Sequence, residues 1–154
     1  MERHLATLWE SVADAVPDAT AVVQGDVRLT YRELDDRAAR LAGVLQDAGL
    51  GPGSKVAQYL YNSPAYVESF AAALKIRGVP VNVNYRYLDD ELLYLLENSE
   101  AEALVFHSSL ADRVARVAPH RRREDVEGEQ RDPDGDAAES GSEHNLGRGH
   151  RRGR

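Results

Sequence analysis

The sequence predicts an α/β fold, in which a mostly parallel sheet is flanked by helices and followed by a disordered tail. β-prone runs and helix-period runs alternate along the first 119 residues. The run 56–61 is typical of a short buried strand. The composition then changes abruptly, so we expect a folded domain over residues 1–119 and a charged tail over residues 120–154.

The first predicted element is a helix. Thr7 and Glu10 have the spacing of a capping box, which places the start of the helix at Thr7. Pro17 ends the pattern, because proline does not continue a helix. The apolar residues that recur at helical intervals are Leu8, Val12 and Val16.

A hairpin and a longer helix are predicted next. The β-prone runs 21–23 and 27–31 flank Gly25, which can adopt the positive φ of a tight turn. Thr30 and Glu33 then form a second capping box. The apolar residues of this helix fall on one face, and they are Leu34, Ala38, Leu41, Ala42 and Leu45.

The middle of the chain predicts another helix and an edge strand. Ser63 is placed as an N-cap, with Pro64 at the first helical position. We expect this helix to end near Gly78. The run 79–83 contains Pro80, which favours the edge of a sheet. The apolar residues of the helix are Val67, Phe70, Ala71 and Leu74.

The last predicted elements are a helix, a strand and a second helix. Asp89 begins the first helix, and residues 103–107 form the strand. Ser109, together with Asp112, is predicted to cap the final helix. The apolar residues of the two helices are Leu92, Leu95, Leu96, Val114 and Val117.

Charge and composition exclude several classes of protein. The chain has 19 basic and 26 acidic residues, a net charge of −7. Its first 120 residues contain 11 of the basic residues and 17 of the acidic ones. An acidic domain lacks the basic footprint that nucleic-acid binding needs. The absence of cysteine excludes disulfides, thiolate metal sites and a thiol nucleophile. No apolar run suits a transmembrane span or a secretory signal, so we expect a cytoplasmic protein.

Two motifs that resemble active-site elements have simpler interpretations. The loop Gly49–Lys55 is glycine-rich and ends in lysine, but it lies between a helix and a strand, whereas a phosphate loop lies between a strand and a helix. We interpret it as an αβ connection, with Gly49 ending the helix. Ser108 and Ser109 lie beside His107, and we interpret these serines as helix caps and not as a nucleophile.

The remaining polar clusters give no predicted metal or catalytic site. The acids Asp89, Asp90 and Glu91 are the residues that a first helical turn favours. Tyr85-Arg86-Tyr87 has two open interpretations: it lines a ligand cleft at the carboxyl end of a parallel strand, or it packs against a neighbouring domain. The histidines lack the spacing of a metal site, and they are His4, His107, His120, His144 and His150.

Seven segments carry a family resemblance through their order and spacing. They are Leu29–Leu34, Ala38–Ala42, Gly51–Val56, Tyr61–Pro64, Ala71–Lys75, Val79–Tyr87 and Glu91–Leu96. Together they resemble the N-terminal portion of the adenylate-forming (AMP-binding) superfamily, in particular the fatty-acyl-CoA synthetases. The resemblance covers residues 5–118 and implies a partial N-terminal subdomain of the adenylate-forming fold.

The resemblance implies an ATP-dependent acyl-CoA ligase reaction. In that reaction ATP and a carboxylate form an acyl-adenylate, and CoA then displaces AMP, with Mg²⁺ shielding the phosphates. The family uses a Ser/Thr/Gly-rich loop with a lysine and a later catalytic lysine, and neither has a counterpart here. Lys55 and Lys75 are the chain's two lysines, and both fall inside matched motifs. We therefore expect no catalytic, cofactor-binding or metal residues, and no bound cofactor, in this chain.

Some family members place contacts to the CoA phosphates near the last helix. Arg113 and Arg116 lie there, and we interpret both as solvated arginines on the helix surface.

The tail predicts a break in the reading frame. Residues 121–154 hold eight arginines and nine acids but only four apolar side chains, at Val126, Ala137, Ala138 and Leu146. Ordering such a segment costs about 1–2 kcal/mol per residue, which so little apolar burial does not offset. Arginine outnumbers lysine by 17 to 2, as in a GC-rich gene, and we expect a frameshift after about Ala118.

Three functions follow as hypotheses. The first is a truncated, inactive fatty-acyl-CoA synthetase, whose partner is the missing remainder of the ligase. The second is a non-catalytic α/β interaction module, or one half of a split ligase, that binds a partner through an exposed sheet edge. The third, nucleic-acid binding by the arginine clusters of the tail, is disfavoured because nine acids neutralise eight arginines.

Overall fold

The computed structural model describes residues 4–118, and the predicted disordered tail lies outside these residues. The described elements follow in this order: α1 (Leu5–Ala15), β1 (Thr20–Gln24), β2 (Val27–Thr30), α2 (Tyr31–Asp47), β3 (Lys55–Tyr59), α3 (Pro64–Lys75), β4 (Val79–Asn82), α4 (Asp89–Asn98), β5 (Ala103–Phe106), a 3₁₀ turn (Ser108–Leu110) and α5 (residues 111–118). The predicted α/β class is confirmed.

The strands form two sheets. β1 and β2 are an antiparallel hairpin, and its turn contains Gly25 at φ 57° as predicted. β3 pairs in parallel with both β4 and β5, which gives the order β4-β3-β5. β4 is thus an edge strand, as Pro80 predicted. β3 ends at Tyr59, two residues before the predicted end.

Helices cover both faces of the parallel sheet. On one face, Val56 of β3 packs with the small residues Ala71, Ala72 and Ala73 of α3 and with the apolar face of α2. On the other face, Ala57 and Tyr59 pack with α4 and α5. Because neighbouring residues of a strand point to opposite faces, β3 contributes to both clusters.

Helix α2 has the predicted cap and the predicted buried face. The Thr30 hydroxyl accepts a hydrogen bond from the Glu33 N–H at 3.2 Å, and Glu33 Oε2 accepts from the Thr30 N–H at 2.8 Å. The hydrogen bonds that the Glu33 carboxylate accepts, first from the Thr30 N–H and then from the Thr30 hydroxyl at 3.0 Å, hold the pKa of Glu33 below its ordinary value. The four buried residues of α2 were all predicted, and they are Leu34, Ala38, Ala42 and Leu45.

The prediction for α1 was wrong in both its cap and its buried face. The N-cap is His4, whose Nδ1 accepts from the Ala6 N–H at 3.1 Å, so Thr7 lies inside the helix. Ala6 and Ala13 are buried and Trp9 contacts Tyr31, with ring centroids 5.9 Å apart. The small alanines let α1 lie close to its neighbours. The predicted apolar residues are left exposed, and they are Leu8, Val12 and Val16.

The starts of α3 and α5 differ in detail from their predictions. Ser63 is the N-cap of α3 with Pro64 at the first position, but its hydroxyl donates to the Tyr61 carbonyl and caps no helical N–H. A 3₁₀ turn that the sequence did not predict precedes α5, and His107 caps this turn by accepting the Ser109 N–H. The predicted capping of the final helix by Ser109 stays a prediction. The face of α3 also differs, since its buried residues are Ser69, Ala71, Ala72 and Ala73.

Candidate functional site at the carboxyl edge of the sheet

Parallel strands end on one side of a sheet, and here their following loops bring aromatic side chains together. Tyr61 follows β3, Tyr85 follows β4 and His107 follows β5. The Tyr61 ring centroid lies 4.9 Å from that of Tyr85 and 5.0 Å from that of His107. These three rings form the aromatic cluster of the carboxyl edge, the edge at which open α/β sheets bind ligands.

His107 and Ser109 form a local hydrogen-bonded pair beside the aromatic cluster. His107 Nδ1 accepts the Ser109 N–H at 3.2 Å, and it lies 2.8 Å from Ser109 Oγ. Because Nδ1 accepts a backbone N–H, it carries no proton, and the hydroxyl donates to it. Within residues 4–118 no carboxylate pairs with His107 to orient it as a catalytic base. The pair acts as a cap.

The segment 84–87 divides its aromatic residues between two places. Asn84 Oδ1 accepts the Arg86 N–H at 3.0 Å, which fixes the turn, and the Arg86 guanidinium lies 5.5 Å from the centre of the Tyr85 ring. Tyr87 instead lines a groove of ≈ 350 Å³ along the outer side of α4, together with Asp90, Glu91, Tyr94 and Leu95. The ligand-cleft and domain-contact interpretations of this segment both stay predictions.

Arg113 is not the solvated arginine that was predicted, whereas Arg116 is exposed on the helix surface as predicted. Arg113 Nη1 donates to the Tyr59 hydroxyl at 2.6 Å and to the Tyr87 carbonyl at 2.7 Å, and its side chain is only 24% exposed. Arg116 donates to both carboxylate oxygens of Asp89, at 2.6 and 3.0 Å. Both arginines therefore fasten α5 to the sheet and to the start of α4.

Neither lysine is free. Lys75 Nζ lies 3.0 Å from Glu10 Oε1 and 2.8 Å from Asp35 Oδ1, so it joins α1, α2 and α3. Burial disfavours its charge, but the hydrogen bonds to Asp35 and Glu10 outweigh burial and raise the pKa of Lys75. Lys55 pairs with Glu100, and its hydrogen bond lowers the pKa of that carboxyl group.

The glycine-rich loop is the αβ connection that was predicted. It joins the end of α2 to the start of β3, with Gly49 at φ 90° after the helix. Its Ser54 hydroxyl donates to Glu102 Oε2 at 3.0 Å and accepts the Gly51 N–H at 3.2 Å. The polar groups of the loop are thus used within the fold.

The Asp89–Arg116 pair predicts how stability depends on pH. The hydrogen bond from Arg116 holds the pKa of Asp89 below its ordinary value. A carboxylate with a depressed folded pKa stabilises the fold above its unfolded pKa, and this contribution is lost as pH falls through the folded value. We expect Asp89→Asn to flatten the fall of the unfolding midpoint as pH drops below about 4, the ordinary pKa of an aspartate. Urea titrations across that range measure it.

Asp90→Asn is the matched control for the pH prediction. Asp90 is the next residue of the same helical turn and has no ion pair among residues 4–118. We expect the unfolding midpoint of the Asp90→Asn chain to change with pH as that of the unmodified chain does. If the unfolding midpoints of the two variants depended equally on pH, the Asp89–Arg116 pair would not be the cause of the loss of stability in acid.

Residues 4–118 contain neither a candidate metal site nor a helix suited to span a membrane. Within residues 4–118 no three His, Asp or Glu side chains are grouped so that they could hold a metal ion. Each helix in this part of the chain is too short or too polar to cross a membrane.

Comparison with solved structures identifies the class of the fold. Over 77% of its length the chain superposes on a benzoate CoA ligase from Burkholderia xenovorans LB400, with a TM-score of 0.72 and 24% identity, covering 24% of that chain. Over 70% of its length it superposes on the N-terminal subdomain of Klebsiella oxytoca NpsA, with a TM-score of 0.65 and 27% identity, covering 28% of that chain. The fold is that of the N-terminal subdomain of adenylate-forming enzymes.

Sequence comparison then identifies the family. The model of the AMP-binding enzyme family matches residues 9–148, and the chain belongs to this family. A Mycobacterium marinum protein, a medium/long-chain-fatty-acid–CoA/3-oxocholest-4-en-26-oate–CoA ligase, is 44% identical over 116 residues, which is 75% of this chain. The chain spans about a fifth of the length of this relative, 21%. The resemblance seen in the sequence is thereby confirmed.

Proposed function

We propose that this chain is the N-terminal scaffold of an acyl-CoA ligase that activates a fatty or other lipid-like carboxylic acid, and that alone it forms no acyl-adenylate. The family membership and the fatty-acid and steroid acids named for the Mycobacterium marinum relative support the ligase and its substrate class. Its role is to complete the fold of a larger enzyme, and we place it in the cytoplasm, where ATP and CoA are available.

The observation that carries this proposal is the use of both lysines inside the fold. A ligase of this type needs cationic groups aimed at the triphosphate and at the reacting carboxylate. Lys75 is held between two carboxylates and Lys55 by a third. Releasing Lys75 to a substrate would leave Glu10 and Asp35 unpaired, whereas Glu100, the partner of Lys55, is 78% exposed and solvated without it. Neither lysine of the chain is therefore placed to bind ATP.

CoA and Mg²⁺, the other ligands of the family reaction, also lack a suitable group of side chains among residues 4–118. Arg113 and Arg116 are the arginines nearest the region where some members contact CoA, and their donors are directed to Tyr59, Tyr87 and Asp89. Mg²⁺ has no three-ligand group among residues 4–118. We propose that the residues that hold ATP, Mg²⁺ and CoA belong to other parts of the ligase.

Within this proposal the chain has two parts. Residues 1–119 are the partial AMP-binding domain, and residues 120–154 are a charged tail whose origin in a frameshift stays a prediction. Neither part is proposed to bind nucleic acid, because the first is acidic and the second has balanced charges.

The activity of the purified 154-residue chain tests the proposal. We expect ATP–pyrophosphate exchange with medium- and long-chain fatty acids to stay at the background rate, because both lysines of the chain are paired with carboxylates and neither is placed to stabilise the charge of the transferring adenylyl group. The intact Mycobacterium marinum relative, assayed in parallel, controls for the reagents. Exchange above background that depends on the fatty acid would show that the chain is itself a catalyst.

A further inference from the structure

The two edges of the parallel sheet differ in their ability to accept another strand. β4 contains Pro80, which has no N–H to donate, and proline is one of the devices that block pairing at a sheet edge. β5, Ala103–Phe106, has no proline and no charged side chain. Within residues 4–118 no strand pairs with its outer side. The β5 edge therefore offers free N–H and C=O groups.

The apolar sequence of β5 contrasts with its partial burial. Strands of a parallel sheet with helices on both faces are usually buried throughout, as β3 is from Val56 to Tyr59. β5 has the apolar sequence of such a strand, with Ala103 and Val105 directed to the α3 side and Leu104 to the α4 side. All three are only half-buried, and Phe106 is 39% exposed.

The handedness of the connections predicts where the next strand lies. α3 connects β3 to β4 across one face of the sheet, and α4 connects β4 back past β3 to β5 across the other face. In right-handed crossovers, helices on opposite faces of a sheet lead the chain in opposite directions along it, as α3 and α4 do here. α5 leaves β5 on the same face as α4. A right-handed crossover through α5 therefore leads to the outer side of β5.

Residues 119–154 lack a sequence that suits a strand beside β5. A strand with helices on both faces needs a run of apolar or β-branched residues. Residues 119–154 contain only one β-branched apolar residue, Val126, and it stands between an aspartate and a glutamate.

We propose that the outer edge of β5 binds an extended, apolar strand in parallel orientation, supplied by the remainder of an acyl-CoA ligase polypeptide. This inference rests on the proposed function for the identity of the partner. The contact is strand addition, in which backbone hydrogen bonds give affinity and the two half-buried faces of β5 select uncharged side chains.

The test is to co-express the 154-residue chain with the Mycobacterium marinum ligase polypeptide from which the matched 116-residue segment has been removed. We expect the two to co-purify. Hydrogen exchange compares the co-purified complex with the chain alone. The outward amides of Ala103–Phe106 should exchange at least tenfold more slowly in the complex, whereas those of Val79–Asn82 should be unchanged.

A pair of matched substitutions places the contact. Phe106→Lys puts a charge on the proposed edge, and Val79→Lys puts the same charge on an exposed residue of the opposite edge strand. We expect Phe106→Lys to lower recovery of the complex at least tenfold and Val79→Lys to lower it less than twofold. Thermal unfolding of each variant alone checks that it folds. If the Phe106→Lys chain does not fold, the hydrogen exchange of the unmodified chain still tests the proposed edge.

Three results would overturn the inference: no co-purification of a folded chain, protection at β4 in place of β5, or β5 protection caused by a second copy of the chain without the ligase polypeptide. These readouts do not depend on catalysis. A complex that forms acyl-adenylate with β5 unprotected removes only the edge inference. A chain that forms acyl-adenylate alone removes the proposed function.

Discussion

The Leu92→Ala chain is expected to unfold at a much lower urea concentration than the unmodified chain. Leu92 is fully buried on α4, where it packs in the cluster that contains Tyr59, Val83 and Leu96. Removing its side chain loses apolar burial and leaves a cavity, which costs about 2–5 kcal/mol in comparable cores. A domain of this size has a free energy of unfolding of only about 5–15 kcal/mol. Equilibrium urea denaturation measures the loss.

Leu8→Ala is the control for this substitution. Leu8 is 62% exposed on α1, so the same atoms are removed without opening a cavity. We expect its free energy of unfolding to stay within about 0.5 kcal/mol of the unmodified value. Similar losses at the two positions would mean that the cluster around Leu92 is not the packed core described above.

The Gly78→Ala chain is expected to lose about 1–3 kcal/mol, the usual cost of overpacking. A Cβ at this position would lie 2.7 Å from the Ser54 carbonyl oxygen and 3.1 Å from that of Ala73. Neither oxygen can move freely, because the Val79 N–H donates to Ser54 and the Gly78 N–H donates to Ala73. The added methyl group therefore forces β4 away from β3. The same urea titration measures the effect.

Gly43→Ala should change stability in the opposite direction. Gly43 lies inside α2, and a Cβ there would meet no atom within 4 Å. Alanine in a helix interior is favoured over glycine by about 0.5–1 kcal/mol. If Gly78→Ala proved as harmless as Gly43→Ala, the close approach of the two backbones at the start of β4 would be wrong.

The parts of the fold that the sequence predicted well are those set by near neighbours. The cap and buried face of α2 depend on Thr30, Glu33 and the apolar repeat that follows, all within one element. Pro80 predicted an edge strand because the missing N–H is a property of the residue itself. Such local chemistry can be read without knowledge of the tertiary structure.

The parts that were mispredicted depend on distant residues. The role of Arg113 is set by Tyr59, 54 positions earlier, and no local pattern marks that contact. Thr7 and Glu10 matched a capping box, but the helix begins earlier, with the His4 imidazole as its N-cap and with Ala6 and Ala13 buried.

The aromatic cluster was predicted only in part. Tyr85 was identified as lying at the end of a parallel strand, whereas Tyr61 and His107 were not linked to it. The general rule that parallel strands end on one side was available to place the three together. The register that brings them within contact could only come from the sheet itself.

The order of the strands also constrains how the chain is made. β3 is the central strand, yet its partner residues in β5 are synthesised 47 positions after it, as for Val56 and Ala103. Throughout that interval a growing chain carries an apolar strand without its second neighbour. Long-range parallel pairing is slow because a large loop must close first. Early synthesis can therefore complete the hairpin and α2, but the three strands β4, β3 and β5 are all paired only after Phe106 has left the ribosome.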